Sequence, residues 1–218
     1  PGVSSSSFSP GASRPILRGF SGERAAVLVD GLGAIDASST SADHAVSIDP
    51  LTADRIEILR GPSVLLFSSQ AVGGAVNVFD RRIPRAIPES PAHIDALASY
   101  GTAAQDKSIG ASVDVPLGQR VVGQADGNYR DSNDVRVGGL IYAPALRAHL
   151  LDLAADASAG GDAEEAARLT DAANSRGRVP NSQSTSKSAG VGAAFVDDGG
   201  SLGISFGYLE DEYGIPPR

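Results

Sequence analysis

The second half of the chain contains five runs of similar length in which hydrophobic residues alternate with small or polar ones. In the last run, Ile204 and Phe206 alternate with Gly203 and Ser205. A period of two is typical of β-strands, whose successive side chains point to opposite faces. We therefore predict five strands, at residues 94–100, 108–117, 121–131, 188–196 and 201–208.

Each predicted strand has one apolar face and one small or polar face. Runs of about 9–11 residues with this alternation are typical of transmembrane β-barrel strands, which must close because lipid cannot satisfy open backbone groups. Tyr100, Tyr129 and Tyr208 lie near one end of their runs, as an interfacial aromatic girdle would. The turns at 117–119 and 197–200 are short and residues 132–183 form a long loop, so we expect periplasmic turns and an extracellular loop. Residues 143–173 of this loop predict two short helices split at Gly160 and Gly161.

The first half of the chain is organised around residues 55–80. The pattern predicts a strand at 55–60, ended by Gly61 and Pro62, then one helical turn and a second strand at 75–79. Upstream we predict a loop over residues 1–15, strands at 16–20 and 24–30, and a short helix at 49–54 capped by Asp49.

Composition excludes several classes of function. The chain has 218 residues, a net charge of −8 and no cysteine. The acidic balance argues against a nucleic-acid partner, and the lack of cysteine excludes disulfides and thiolate metal sites. No apolar run approaches the roughly 20 residues of a membrane helix. No catalytic arrangement can be argued from spacing, so we do not expect an enzyme. With no signal peptide and Pro1 at the start, we expect a piece of a longer protein.

Residues 55–78 (RIEILRGPSVLLFSSQAVGGAVNV) resemble the plug signature of TonB-dependent outer-membrane receptors, and residues 14–20 and 27–31 match the preceding plug strands in order. Ser68 stands where that family commonly has glycine. The resemblance implies an α+β plug domain followed by antiparallel transmembrane β-barrel strands of a partial barrel. We expect a plug at 1–83 whose amino-terminal part is missing, a linker at 84–92, and about five barrel strands at 93–218.

The resemblance also implies a function. It predicts energy-coupled import of a scarce nutrient through the outer membrane of a Gram-negative bacterium, without catalysis or a resident cofactor. The implied partners are a TonB-type inner-membrane energy-coupling protein, outer-membrane lipid, and a metal ion or metal chelate as substrate. The coupling segment is expected outside this sequence.

A finer resemblance is to the zinc-importing branch of the same receptors. It rests on five segments: residues 41–50 (SADHAVSIDP), 80–84 (DRRIP), 133–137 (NDVRV), 179–182 (VPNS) and 212–217 (EYGIPP). In that branch an Asp-His pair at this plug position helps to hold the metal, which implies Asp43 and His44 as ligands for zinc cargo, with Asp36 as a further candidate. Imidazole and carboxylate suit Zn²⁺. The alternative is that Asp43 caps a turn and His44 makes an ordinary hydrogen bond.

Three charged plug residues, Glu57, Arg60 and Arg18, are expected to contact the barrel wall. Glu57 and Arg60 could act as a latch, because a buried ion pair is costly to break one partner at a time; the alternative is a plain structural ion pair. The acidic loop could steer cations, although a solvated helical face is the simpler interpretation.

Two other functional interpretations remain open from the sequence. The first is a receptor of the same family for a ferric siderophore, haem or copper. The second, of another class, is a soluble β-rich binding or signalling domain, whose apolar strand faces would pack on each other away from water.

Overall fold

The computed structural model describes residues 2–7, 12–33 and 53–216, together with the single residues 41, 44 and 46. In this described part, a four-stranded mixed sheet precedes a five-stranded antiparallel sheet, and two shorter antiparallel ladders accompany them. The strands of the first half are β1 Val3–Ser7, β2 Ser13–Leu17, β3 Ala25–Val29, β4 Leu32–Gly33, β5 Ala53–Leu59 and β6 Gly74–Asp80. Two short 3₁₀ turns lie at Gly22–Arg24 and Pro62–Leu66.

The second half contains the larger sheet and one long insertion. Its elements are β7 His93–Gly101, β8 Asp106–Pro116, β9 Val121–Ser132, β10 Arg136–Leu140, α1 Pro144–Ala159, α2 Ala163–Ala173, β11 Arg176–Arg178, β12 Ser184–Asp197 and β13 Gly200–Tyr213. No helix among the described residues is long and apolar enough to cross a membrane.

The first sheet has the strand order β4-β3-β6-β5, with β3 parallel and β5 antiparallel to β6. Leu28, Val64 and Ala75 are buried in its core. The predicted strand, helical turn and strand are confirmed. Gly74 ends the turn with a φ of +134°, and a Cβ there would lie 2.8 Å from the Leu59 carbonyl oxygen, so only glycine fits this close approach.

The second sheet has the order β13-β12-β9-β8-β7 and confirms the five predicted strands. Its predicted apolar face is exposed: Ile204 is 78% and Phe206 73% exposed. The opposite face packs on the segment after β6, where Val122 and Ala194 are buried with Ile83 against them. In the described part of the chain, the apolar faces are therefore not stacked on each other as a water-soluble sandwich requires.

The long insertion between β9 and β12 contains the two predicted helices, separated at Gly160 and Gly161. Asp162 caps α2 by accepting a hydrogen bond from the Glu165 N–H at 3.0 Å. The paired strands β10 and β11 at the base of the insertion were not predicted. The acidic side chains of the helices are largely exposed, and Glu165 pairs with Arg168 one turn away.

Several local predictions were wrong. Residues 1–15 were expected to be a loop, yet β1 pairs with β2. The strand predicted at 16–20 instead ends at Leu17, because Arg18 and Gly19 form a turn with φ of 52° and 84°. A helix was predicted at 49–54, but its last two residues, 53 and 54, belong to strand β5, which begins at Ala53. Residues 49–52 lie outside the described part.

Candidate functional site

The inner face of the five-stranded sheet is arranged in transverse rows set by the strand register. One row contains Asp95, Ser112 and Asp126, which are direct partners across β7, β8 and β9. The same row continues through Gly190 on β12 to Gly207 on β13. This row therefore offers two carboxylates on one side and a flat glycine surface on the other.

Arg82 binds the carboxylate of Asp126 through two parallel hydrogen bonds. Its Nε and Nη2 atoms donate to Oδ1 and Oδ2 at 2.9 and 3.0 Å. The Asp126 side chain is only 4% exposed and that of Arg82 17%. Gln124 also donates to Asp126, at 3.2 Å, and the Arg82 N–H donates to Asp80 at 3.1 Å. A planar guanidinium suits this two-point contact and cannot be replaced equivalently by lysine.

The neighbouring Arg81 reaches the other carboxylate of the same row. Its Nη1 atom donates to Asp95, and its Nε atom donates to Asp54 at 3.2 Å. Adjacent arginines thus bind two aspartates that are separated by one strand. We call these four residues, Arg81, Arg82, Asp95 and Asp126, the arginine clamp.

Arg82 and Ile83 lie directly on four glycine residues of the inner face, which we call the glycine groove: Gly190, Gly192, Gly203 and Gly207. A Cβ at Gly192 would overlap the Arg82 carbonyl oxygen, and one at Gly207 would lie 2.7 Å from Arg82 Nη1. At Gly203 it would lie 2.7 Å from Ile83 Cγ2. The groove therefore exists because these positions have no side chain.

A cavity of about 110 Å³ lies beside the arginine clamp, between the start of β5 and the inner face of the five-stranded sheet, which we call the wall. It is lined by Ala53, Arg81, Asp95, Ser112, Gln124 and Asn128, among others. The Gln124 Oε1 atom and the Asp114 Oδ1 atom of the adjoining row are buried without a hydrogen-bond partner among the residues that the structure describes. A polar cavity of this size accommodates a few water molecules.

A second group of charges lies at the end of β6. Two guanidinium groups lie near the Phe79 ring, with Arg55 at 4.0 Å and Arg85 at 5.5 Å from its centroid. Arg85 also donates to Asp30 at 3.4 Å. Partial burial raises the pKa of Asp30, the nearby Asp80 carboxylate raises it further, and Arg85 opposes both effects.

Of the three predicted metal ligands, His44 alone lies among the residues that the structure describes. Asp36 and Asp43 lie outside the described residues. His44 is exposed in a bend, and its N–H is directed at the Ser41 carbonyl oxygen at 3.4 Å. The residues that the structure describes contain no cluster of three or more His, Asp or Glu side chains able to hold a metal. The metal site stays a prediction.

The charged plug residues predicted to touch the barrel make local contacts here. Glu57 accepts a hydrogen bond from Arg55 at 2.9 Å, and both side chains are half exposed. Arg18 lies in the turn after β2, where its N–H donates to the Gly2 carbonyl oxygen at 2.7 Å. Arg60 directly follows β5 at the surface. Contacts of Glu57, Arg60 and Arg18 with further barrel strands stay predictions.

The sequence analysis did not assign Arg81 or Arg82 a contact with the wall. A signal was present: Asp95 and Asp126 are acidic residues on the polar faces of predicted strands, and two arginines directly follow the last plug strand. Uncompensated carboxylates inside a barrel require cations. The pairing itself could not be read from the sequence, because it depends on strand register.

Three of the segments quoted for the zinc-importer resemblance meet at the end of the sheet that carries the long insertion. Asn181 donates through Nδ2 to the Ile215 carbonyl oxygen at 2.6 Å. Ser182 is 1% exposed, and its Oγ atom accepts from the Val135 N–H at 2.9 Å while its own N–H donates to Asp134 at 2.8 Å. These segments therefore fasten the base of the insertion.

Comparison with known proteins agrees with this architecture. Residues 1–75 match the family model described as TonB-dependent Receptor Plug Domain. The chain is 38% identical to a "Hemin receptor" of Yersinia enterocolitica over 61 residues, which is 28% of this chain and 9% of that protein. The fold is that of a TonB-dependent receptor plug followed by part of its barrel.

Solved structures show the same fold over almost the whole chain. The copper transporter OprC matches with a TM-score of 0.67 and 19% identity, covering 100% of this chain and 28% of that one. The ferric-catecholate import receptor Fiu from E. coli K12 matches with a TM-score of 0.58 and 16% identity, covering 97% and 23%. The chain thus spans less than a third of these proteins. The finer resemblance to zinc importers stays a prediction.

Proposed function

We propose that this chain is the plug and first barrel strands of an energy-coupled importer in the outer membrane of a Gram-negative bacterium. The observation that carries the proposal is the segment of residues 81–83, directly after the plug sheet, held against the inner face of a five-stranded sheet whose outer face is apolar and exposed. A lipid-facing barrel requires this arrangement, and a water-soluble domain would not tolerate it.

The limits of the apolar surface support a membrane position. On β13 it extends from Leu202 to Tyr208 and then gives way to Glu210, which pairs with Lys187 at 3.4 Å. At the other end, the Arg120 guanidinium lies 6.0 Å from the ring centroid of Phe195. Aromatic and basic residues of this kind are typical of the membrane–water interface. No chemical reaction is part of the proposal.

In this proposal the plug closes the lumen and the substrate binds from outside, between the plug and the barrel. A TonB-type inner-membrane partner then pulls the plug and opens a path. The Arg82–Asp126 pair keeps the plug attached to the wall, and the polar cavity beside β5 leaves a weakly packed side.

We propose zinc or a zinc complex as the cargo, with His44, Asp43 and Asp36 among the ligands. The support is chemical: imidazole and carboxylate are ligands that zinc accepts, and His44 is exposed. Copper is the second candidate, because the copper transporter OprC resembles the whole chain in fold. Haem and ferric siderophores follow, from the descriptions of the other relatives.

The test uses the full-length receptor in a host that lacks its own metal receptors. We expect uptake of radioactive zinc that stops when the proton-motive force is collapsed. Unlabelled zinc, copper, haem and ferric siderophore are then compared as competitors of radioactive zinc uptake. A competitor that reduces this uptake more strongly than unlabelled zinc does would be identified as the preferred cargo. Uptake of labelled copper, haem and ferric siderophore is measured in the same way, and absence of energy-dependent uptake for all four substrates would reject the importer.

The ligand assignment is tested by His44→Ala in the same receptor. We expect a loss of zinc affinity of about tenfold or more, as for removal of groups that support a metal. His149→Ala is the matched control, since His149 lies exposed on α1 far along the insertion. Unchanged zinc binding in His44→Ala would reject the site while leaving the importer intact.

A further inference from the structure

We infer that Lys107, Arg136 and Arg178 bind the phosphate groups of the outer-leaflet glycolipid, at the end of the five-stranded sheet where the long insertion begins. The inference rests on the outer-membrane position given in the proposed function. It adds a lipid site that is separate from the plug and from the cargo. We call these three residues the basic rim.

Lys107 lies on the apolar outer face of β8, at the end of that face nearest the insertion. Its register partner on β7 is Tyr100, and the next outer-face residue of β8 is Ile109; both are 60% exposed. Its partner on β9 is Asp131, whose Oδ1 atom accepts a hydrogen bond from the Thr185 hydroxyl at 3.1 Å. Lys107 is exposed, and no ion pair among the described residues includes it. Its charge is therefore available beside a tyrosine of the predicted girdle.

Arg136 is fixed beside the same strand end by its backbone. Its N–H donates to the Ala103 carbonyl oxygen at 2.8 Å, in the turn between β7 and β8. Ala103 follows Tyr100 by three residues, which is at most about 10 Å of chain. A strand tilt of about 45° reduces this to a height of about 7 Å, and the headgroup layer extends about 5–8 Å beyond the hydrocarbon. Arg136 therefore lies at the height of the lipid headgroups.

Two arginines face each other across the short ladder at the base of the insertion. Arg136 of β10 and Arg178 of β11 are direct register partners, so their side chains leave the same face of the ladder. Both are exposed, and so is Arg176. None of the three has an ion pair among the residues that the structure describes. Like charges directly opposite each other destabilise a strand pair, and an anion held between them would remove this repulsion.

The chemistry of the basic rim suits a phosphate group. A guanidinium binds phosphate through two parallel hydrogen bonds, and a lysine adds a compact positive charge. The outer leaflet of a Gram-negative outer membrane consists of a glycolipid with phosphorylated sugars, and clusters of basic residues at a membrane surface recognise anionic headgroups. The outer-face position of Lys107 and the height of Arg136 favour this lipid over a soluble anion.

Lipid binding to the purified full-length receptor tests the inference. The probe is lipid A, a diphosphorylated glucosamine glycolipid, added to the receptor in mild detergent, and bound lipid is counted by native mass spectrometry. Arg136→Gln with Arg178→Gln removes two charges of the basic rim. Arg120→Gln with Arg168→Gln is the matched control, because it removes the same charge from exposed residues at the opposite end of the sheet and on α2.

We expect the basic-rim variant to bind lipid A about tenfold more weakly than the parent, as for the loss of charge-assisted hydrogen bonds. The control variant is expected to bind as the parent does, and lipid A without its phosphates is expected to bind the parent weakly. Equal affinities of the two double variants would overturn the inference. Displacement of lipid A by excess inorganic phosphate would assign the site to a soluble anion and overturn the lipid assignment.

A second variant covers a double variant that does not assemble. Lys107→Gln changes one exposed outer-face residue outside the ladder, and we expect lipid A affinity to fall about fivefold. Arg120→Gln alone is its control. An unchanged affinity in Lys107→Gln would contradict the inference.

Uptake of radioactive zinc, copper, haem and ferric siderophore by the parent receptor separates this inference from the proposed function. A parent that imports none of them, with lipid A binding weakened in the basic-rim variant, would show that the importer has failed and the lipid site stands. A parent that imports, with lipid A binding unchanged in that variant, would show the reverse.

Discussion

The Oδ1 atom of Asn77 accepts a hydrogen bond from the backbone N–H of Gly31 at 2.9 Å. Asn77 is 3% exposed in β6, and the adjacent Asp30 N–H donates to the Val78 carbonyl oxygen at 2.9 Å. The turn after β3 is therefore fixed by a side chain and a carbonyl of β6. Two sequence motifs 46 residues apart are joined in this way.

Asn77→Leu removes this acceptor and leaves the Gly31 N–H without it. We expect a loss of about 1–3 kcal/mol of plug stability, the usual cost of an unsatisfied buried polar group. Hydrogen exchange of plug amides in the full-length receptor measures it. Asn133→Leu is the control, because the Asn133 side chain is exposed and bonds only to the Gln105 side chain at 3.1 Å among the contacts described. Equal effects of the two substitutions would contradict this role.

Asp126→Ala removes one partner of the buried pair and strands Arg82 against the wall. We expect destabilisation of about 3–5 kcal/mol, whereas replacing both partners by apolar residues of similar volume is expected to cost much less. Arg82→Met with Asp126→Leu provides that comparison. Urea unfolding of the purified receptor, followed by the exchange of plug amides, measures both. A double variant as unstable as Asp126→Ala would contradict the ion-pair explanation.

Gly192→Ala places a methyl group where the Arg82 carbonyl oxygen lies. Overpacking of this kind costs about 1–3 kcal/mol, so the thermal midpoint of the receptor should fall. Gly127→Ala is the matched control on the outer face of the neighbouring strand, because a Cβ there meets only the Ser188 carbonyl oxygen, at 3.9 Å. We expect no loss for that variant. Similar midpoints for the two would contradict the glycine groove.

The barrel strands could be predicted from the sequence because each side chain faces one of two very different environments. The alternation of Ile204 and Phe206 with Gly203 and Ser205 matches an exposed apolar outer face and an inner face that packs on the segment after β6. The same logic fails for β1, whose residues are mostly serine and carry no alternation. It also fails for β10, which is short and contains two glycines.

The contacts between plug and wall could not be predicted in the same way. Arg82 and Asp126 lie 44 residues apart, and only strand register places them together. Arg18 was placed in a strand because nothing in its residue type indicates a φ of 52°. Glu57 accepts a hydrogen bond from Arg55, two residues away, and its predicted contact with the barrel wall stays a prediction. The predicted ligands Asp36 and Asp43 are outside the described residues and stay predictions.

Ile204→Arg tests the membrane position of the outer face most directly. Ile204 is 78% exposed and lies within the apolar surface of β13, so a buried guanidinium there is expected to cost about 2–4 kcal/mol of folding into lipid. Glu210→Arg is the matched control on the same face, beyond Tyr208, where an exposed pair with Lys187 and an exposed hydrogen bond from the Tyr208 hydroxyl are lost and a cost of about 1 kcal/mol is expected. Urea titration of the full-length receptor in lipid vesicles measures both. If the sheet belonged to a soluble domain, Ile204→Arg would be tolerated as well as Glu210→Arg, because an exposed arginine is then hydrated.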